Sequence, residues 1–102
     1  MTSEEFLKKI KYAVLSVDDK ADVILFGSRA RGDNKPDSDW DLLILVESKR
    51  SIALERKLRD DIYEIELEHD QPVSSIILNK KEWEDLVITP FYYNVTHEGK
   101  SI

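Results

Sequence analysis

Residues 26–46 read FGSRARGDNKPDSDWDLLILV, a stretch in which two predicted strands flank a loop. The apolar, β-branched run over 21–26 ends at Gly27, a pattern typical of a largely buried strand. A second buried strand is predicted from Asp39 to Val46. The segment between them begins with residues that can form a helical turn and ends in Pro, Asp and Ser, which favour loops. Because this connection is too short for a regular crossover helix, the sequence favours a mixed sheet over a doubly wound parallel one.

The flanking sequence predicts helices on either side of these strands and one further strand. Apolar residues at spacings of three and four predict an amphipathic helix over 3–17, capped by Thr2 or Ser3. The same spacing among many charged residues predicts a long, solvated helix from Ser51 to about Glu68. The remaining predicted elements are a strand over 73–78, a helix capped by Asn79, and a last helix over 91–97 that follows Thr89-Pro90. The predicted fold class is therefore α/β of the α+β type, a mixed β-sheet of about three to four strands flanked by helices.

Length and composition exclude several classes of site and partner. A chain of 102 residues is expected to form a single domain over 1–102. Its 15 Lys and Arg against 21 Asp and Glu leave a net charge of −6, which favours neither nucleic acid nor an anionic membrane as a partner. The absence of Cys excludes a disulfide framework, a zinc–thiolate site and a Cys nucleophile. An acidic N-terminus and the lack of a long apolar run predict a cytoplasmic protein.

Two carboxylates mark the start of the second predicted strand. Asp39 and Asp41 are two positions apart, so in a strand they point to the same face. Like charges at the start of an apolar strand are unfavourable unless a cation lies between them. Oxygen ligands suit Mg²⁺ or Mn²⁺, and Mg²⁺ commonly combines one or two carboxylates with substrate phosphate oxygens. The pair is therefore predicted to bind a metal, and the alternative is a solvated junction of loop and strand.

The end of the first predicted strand has the features of a phosphate site. Gly27 allows the backbone to approach a ligand closely, and Ser28 adds a hydroxyl donor at the start of a turn. Arg29 and Arg31 supply compact positive charge suited to a triphosphate, although surface pairing, or bracing of the loop by Arg31, is the alternative. A nucleoside triphosphate bridging this segment and the acid pair is the arrangement that metal-assisted nucleotidyl transfer requires.

These motifs resemble a known family. Phe26-Gly27-Ser28, followed after ten residues by Asp39-Trp40-Asp41-Leu42, is similar to the signature of the polymerase-beta-like nucleotidyltransferase superfamily. The stretches 27–32 and 38–42 more closely resemble minimal nucleotidyltransferases, small prokaryotic proteins often paired with a helical HEPN partner in toxin–antitoxin modules. The resemblance implies a nucleotidyltransferase fold in which Gly27 and Ser28 contact the triphosphate. It also implies that Asp39 and Asp41 are catalytic and hold the metals.

One position departs from the family pattern. Active members usually carry a third carboxylate on the next core strand, where this chain reads VSSII over 73–77. Serine thus stands where an acid is expected. Asp70, Glu66 and Glu68 are the candidates to replace it.

The main expectation is an Mg²⁺-dependent nucleotidyltransferase that transfers a nucleoside monophosphate, AMP from ATP as first choice, to a hydroxyl acceptor. Because 102 residues leave little room for an acceptor-binding domain, the acceptor surface is expected on a HEPN-type helical protein or a second copy of the chain. The alternative function is a non-catalytic module that binds nucleotide or masks its partner.

The remaining aromatic residues and histidines are assigned structural or surface roles. Both His69 and His97 are expected at the surface. A core or partner-interface role is expected for the aromatic cluster Trp83, Phe91, Tyr92 and Tyr93.

Overall fold

A four-stranded mixed sheet lies at the centre of the computed structural model, which describes residues 2–102. The strands are β1 (Asp22–Phe26), β2 (Trp40–Val46), β3 (Val73–Asn79) and β4 (Lys100–Ser101), in the spatial order β3-β2-β1-β4. β1 is antiparallel to both β2 and β4, whereas β3 runs parallel to β2. The mixed sheet expected from the short β1–β2 connection is thus confirmed.

Helices cover both faces of the sheet. They are α1 (Ser3–Val17), α2 (Ser28–Arg31), α3 (Ile52–His69), α4 (Lys80–Asp85) and α5 (Pro90–Glu98). The predicted caps at Thr2 and Asn79 are confirmed, and Ser51 and Thr89 cap α3 and α5: each of the four side chains accepts a backbone N–H in the first turn that follows. Within residues 2–102, no helix combines the length and apolar character needed to cross a membrane.

Two hydrophobic cores lie on opposite sides of β2. Its residues Leu42, Ile44 and Val46 pack with α1 and α3, while Leu43 and Leu45 pack with α4 and α5. All five are buried because both faces of the strand are covered. This explains the uninterrupted apolar run, since each such side chain contributes about 1.5–3 kcal/mol when fully buried.

A buried carboxylate joins α1 to the end of β2. Asp18 is 7% exposed and accepts the backbone N–H groups of Lys20, Glu47 and Ser48 at 3.0, 2.9 and 3.1 Å. Burial opposes its charge, but these hydrogen bonds outweigh it and lower the pKa of the carboxyl. The connection fixes one end of the sheet against α1.

Three details differ from the sequence-based expectations. β2 begins at Trp40, so Asp39 lies just before the strand. β4 was not predicted, because two residues carry no periodicity and the strand forms only by pairing with Ile24 and Leu25 of β1. The expectation of a surface position for His69 was wrong: its side chain is 9% exposed and lies edge-on to Phe6. His97 is exposed, as expected.

The aromatic cluster is largely in the second core. Trp83 stacks on Tyr92 with ring centroids 4.5 Å apart and meets Phe91 edge-on at 5.7 Å. Tyr93 instead points outward and is 60% exposed. Three of the four residues therefore have the predicted core role.

Candidate functional site

The two halves of the sequence motif meet at one end of the sheet. Gly27 directly follows β1, and Asp41 is the second residue of β2. The antiparallel register places Phe26 opposite Asp41, so the end of β1 lies beside the start of β2. Gly27 and Asp41, which are distant in the chain, are thereby brought into contact.

Both the backbone conformation at position 27 and the neighbouring Asp41 require a glycine there. Its φ of 74° lies in a region that side-chain-bearing residues rarely adopt. A Cβ at this position would also collide with Oδ2 of Asp41. The carboxylate of Asp41 therefore lies directly over the glycine backbone, which leaves no space for any side chain at position 27.

The turn after Gly27 forms the short helix α2. The backbone N–H groups of Ala30 and Arg31 both donate to the Gly27 carbonyl at 3.1 Å. Gly27 is the N-cap and Ser28 the first helical residue. The hydroxyl of Ser28 makes no hydrogen bond to any atom of residues 2–102, so it is not a helix cap and is available to a ligand.

The negative charge of the acid pair is only partly compensated. Asp39 is exposed and Asp41 is half-buried. Burial raises the pKa of Asp41, the negative charge of Asp39 raises it further, and Arg31 opposes both. Such a shift is expected where two carboxylates share a partly buried site.

The register of β2 and β3 identifies the position where an acid is expected. Ser74 pairs with Asp41 and is exposed on the same face of the sheet. Ser75 faces the other side, where its hydroxyl accepts a hydrogen bond from Arg59 at 3.0 Å. Of the two adjacent serines, Ser74 is therefore the one beside Asp41.

Of the three candidate substitutes for the family's third carboxylate, Glu68 and Asp70 have other roles in the fold, whereas Glu66 interacts with Asp39. Glu68 is paired with Lys9 at 2.9 Å, and Asp70 is the left-handed C-cap of α3. Burial raises the pKa of Glu66, a hydrogen bond from the backbone of Val73 lowers it, and Asp39 raises it. The charge of Asp39 therefore acts on Glu66, while the hydrogen bond from Val73 holds Glu66 at the start of β3. Within residues 2–102, no group of three or more carboxylate or imidazole side chains gathers in a form suited to a metal ion.

Arg31 lies beside the acid pair and already has anionic partners. Its Nε contacts Oδ2 of Asp33 at 3.2 Å, and its Nη1 contacts Oε1 of Glu98 at 3.0 Å. Its charge also reaches Asp41, whose pKa it lowers. Glu98, at the end of α5, has no local sequence signal that connects it to this site.

Arg29 points away from the acid pair and toward the loop before β2. Its guanidinium donates to the carbonyls of Ser38 and Pro36 and lies over the ring of Trp40. Both arginines therefore contact this loop: Arg29 holds it at Pro36 and Ser38, and Arg31 pairs with Asp33.

Comparison with known proteins supports the family resemblance. The family model described as "Nucleotidyltransferase domain" matches residues 5–99. "Putative protein adenylyltransferase MJ0141" of Methanocaldococcus jannaschii is 38% identical over 78 residues, which cover 74% of this chain and 79% of that protein. "Putative protein adenylyltransferase MJ1305" of the same organism is 36% identical over 81 residues, 78% of this chain and 54% of that protein. The match thus spans about half of the second relative.

Two solved structures share the fold. "Crystal structure of the toxin-antitoxin with AMP-PNP" has a TM-score of 0.62 at 18% identity, covering 98% of this chain and 72% of that one. "Crystal structure of putative nucleotidyltransferase" has a TM-score of 0.56 at 24% identity, covering 94% of this chain and 96% of that one. From its sequence match and from the architecture around Gly27 and Asp41, the chain belongs to the nucleotidyltransferase family of enzymes.

Proposed function

We propose that this nucleotidyltransferase transfers AMP from ATP to a hydroxyl group of a protein, at the junction of β1 and β2. The observation that carries the proposal is the contact of the Gly27 backbone with the Asp41 carboxylate, which joins a phosphate-approach segment to an acid pair. The names of the two sequence relatives support adenylyl as the transferred group and a protein as the acceptor.

The acid pair fits a hard divalent cation. Asp39 and Asp41 offer only oxygen donors, which suit Mg²⁺ or Mn²⁺. The raised pKa of Asp41, caused by burial and then by Asp39, is an electrostatic cost that a cation would remove. Asp39 and Asp41 would hold the ion, which would polarise the reacting phosphoryl group and offset its charge.

The chain's own residues would bind and orient the triphosphate. Gly27 lets the backbone approach a phosphate, and the Ser28 hydroxyl would donate to a phosphate oxygen. Arg31 would exchange part of its pairing with Asp33 and Glu98 for the triphosphate and the departing pyrophosphate. These contacts position the α-phosphorus for in-line attack.

The transfer itself forms one bond and breaks one. The acceptor oxygen bonds to the α-phosphorus, while the bond from that phosphorus to the oxygen bridging it to the β-phosphate breaks and pyrophosphate leaves. The acceptor hydroxyl loses its proton, and Ser74 is not a carboxylate that could take it. We therefore expect the acceptor protein to contribute the base, and transfer without its proper acceptor to be slow.

Residues 1–102 would act as one nucleotidyltransferase domain that meets its acceptor on another chain. A HEPN-type helical protein or a second copy of this chain would supply that surface. We propose a cytoplasmic location, since a nucleoside triphosphate is the donor.

The test is titration calorimetry with a non-hydrolysable ATP analogue, with and without Mg²⁺, followed by transfer from ATP labelled at the α-phosphate. We expect Mg²⁺-dependent binding in the wild type and its loss in Asp39→Asn. Asp37→Asn is the matched control, because this exposed residue removes the same charge two positions away. Equal binding by wild type and Asp39→Asn would contradict the proposed site.

A second candidate function is a module that binds nucleotide or masks its partner without catalysis. The serine at position 74 favours it, because the expected third carboxylate is missing from the side of Asp41. Mg²⁺-dependent binding of the analogue with no labelled product, tested with candidate acceptor proteins present, would support this function over transfer.

A further inference from the structure

The segment that carries Asp39 into the site is a loop. Residues 32–39 join α2 to β2, and Asp39 lies outside the strand. A local turn closes over 35–38, where the backbone N–H of Lys35 donates to the Ser38 hydroxyl at 2.9 Å. The backbone N–H of Ser38 returns to the Lys35 carbonyl at 3.1 Å. These bonds shape the loop but do not anchor it to the rest of the protein.

Arg29 anchors the end of this loop that precedes Asp39, whereas Arg31 contacts its start through Asp33. Its Nε and Nη2 both donate to the Ser38 carbonyl, at 3.0 and 2.9 Å, and Nη2 also reaches the Pro36 carbonyl at 3.2 Å. Ser38 directly precedes Asp39, so the bond acts on the peptide unit that enters the acid pair. Because Arg29 belongs to α2, the same short helix that follows Gly27 also holds the segment that presents Asp39.

The buried ring of Trp40 is a rigid surface on which the Arg29 guanidinium packs. Its indole is 5% exposed, and the guanidinium carbon of Arg29 lies 4.1 Å from the ring centroid. The indole Nε1 donates to Oε1 of Gln71 at 3.0 Å, and the ring packs on Phe6 at 5.4 Å. Trp40 lies between the two aspartates in sequence and faces the opposite side of the sheet from Asp41. Trp40 therefore supports this segment from the face of the sheet opposite Asp41.

We propose that Arg29 is a positioning residue that sets the geometry of Asp39 relative to Asp41 without contacting the nucleotide. This inference rests on the proposed function, since it assigns Arg29 a role in the same site. A planar guanidinium is needed because it donates two N–H groups to one carbonyl and stacks on an indole at the same time. Lysine has the charge but neither the fork nor the flat face.

The test measures Mn²⁺ affinity by the loss of free Mn²⁺ signal in electron paramagnetic resonance, with the ATP analogue present. It compares the wild type with Arg29→Lys and uses Asp39→Asn as the reference for a lost metal ligand. Arg56→Lys is the matched control, because Arg56 is exposed and makes no ion pair with residues 2–102. Removing the support of metal ligands typically costs roughly 10–100-fold in affinity, and we expect Arg29→Lys to fall in this range. We expect the control to match the wild type.

Two further measurements separate positioning from general destabilisation. The melting temperature of Arg29→Lys should stay near that of the wild type, while amide hydrogen exchange over 33–39 should accelerate. Trp40→Phe, which removes the hydrogen bond to Gln71, is a second variant that should weaken Mn²⁺ binding if Arg29→Lys does not fold.

The outcomes distinguish the two proposals. Wild-type Mn²⁺ affinity in a folded Arg29→Lys, with Asp39→Asn impaired, would overturn the positioning role and leave the proposed function intact. Equal affinity in wild type and Asp39→Asn would overturn the proposed function and this inference with it. Weaker binding in Arg29→Lys with unchanged exchange over 33–39 would also contradict the anchoring role.

Discussion

Acidic residues near the two ends of strand β2 are in opposite electrostatic states. Beyond its last residue, Glu82 of α4 receives Nε and Nη2 of Arg50, each at 2.7 Å. The hydrogen bonds from Arg50 and from the backbone of Asn79 lower the pKa of Glu82 to about 2. At the other end, burial and then Asp39 raise the pKa of Asp41.

The opposite pKa shifts indicate that Glu82 stabilises the fold, whereas Asp41 is available to a ligand. The charge of Glu82 has partners within the chain, so it ties α4 to the segment that leads into α3. The charge of Asp41 is opposed by burial and by a like charge, with Arg31 as a partial compensation. An unfavourable arrangement of this kind is expected where the missing partner is a ligand.

The largest effect is expected from removing the acid pair. Combining Asp39→Asn with Asp41→Asn should reduce AMP transfer by about 10³-fold or more, because the site loses the groups that would hold the cation. The free energy of unfolding should not fall at neutral pH, since a like-charge repulsion is removed. Labelled-ATP transfer and urea denaturation measure the two quantities. Full transfer activity in the double variant would contradict the assignment of these residues.

Substitution of Gly27 should damage both the site and the fold. In Gly27→Ala the new Cβ meets the Asp41 carboxylate, and the backbone has a φ of 74°. We expect about 1–3 kcal/mol of destabilisation and about 10²-fold slower transfer from a displaced Asp41. Urea denaturation and the transfer assay measure these changes.

Gly32→Ala is the matched control for this steric argument. Gly32 also has a positive φ, 87°, but nothing lies near an added Cβ. It should lose stability from backbone strain alone and keep its nucleotide affinity. Equal loss of transfer in both variants would show that strain, and not contact with Asp41, explains the effect.

A gain of activity is expected from restoring the family's third acid. Ser74→Asp places a carboxylate beside Asp41, where it could accept the proton of an attacking hydroxyl. General bases contribute typically about 10²–10⁴-fold in evolved sites, and we expect about tenfold in one that has not adapted to the new group. Ser75→Asp is the matched control, because it adds the same charge on the opposite face of β3. An equal or greater gain from Ser75→Asp would contradict the assigned geometry.

The smallest expected effect is on the pH dependence of stability, to which Glu82 and Asp41 contribute in opposite directions. The folded-state pKa of Glu82, about 2, lies below its ordinary 4.5, so its stabilisation is complete above about pH 4.5 and is lost as the pH falls toward 2. Asp41 has a pKa above its ordinary 3.8, so it disfavours the folded state increasingly as the pH rises from that value.

Two single variants test these opposite pH dependences. The free energy of unfolding of each is measured by urea denaturation between about pH 2.5 and 7, a range that covers the titration of both carboxyls. Glu82→Gln should lower stability at pH 7 and flatten its decline toward acid. Asp41→Asn should raise stability at pH 7 relative to the wild type. Parallel changes in the two variants would contradict the contrast between the ends of β2.

Much of the fold was predictable because its signals are local. The helix caps at Thr2 and Asn79, the helix start at Thr89-Pro90 and the apolar run of β2 are set by neighbouring residues, and the structure confirms them. The mixed sheet followed from the length of one connection. β4 was missed because two residues pair only after α5 has brought them to the edge of β1.

The roles of the two arginines illustrate what local signals cannot supply. Arg29 and Arg31 are two positions apart in the same short helix and have the same chemistry. One lies over Trp40 and the other reaches Glu98, which is 67 positions away along the chain. Their directions depend on packing that no short window of sequence contains.

The amino-acid sequence alone determined the family resemblance, the element types and the pairing of Gly27 with the two aspartates as a candidate site, because periodicity and motif spacing are properties of the chain itself. Only the tertiary structure decided that Ser74 is the residue beside Asp41, that His69 is buried and that Arg29 holds the loop. Each of these depends on strand register or on contacts between distant segments, since the position of a side chain is fixed only when the elements around it have packed.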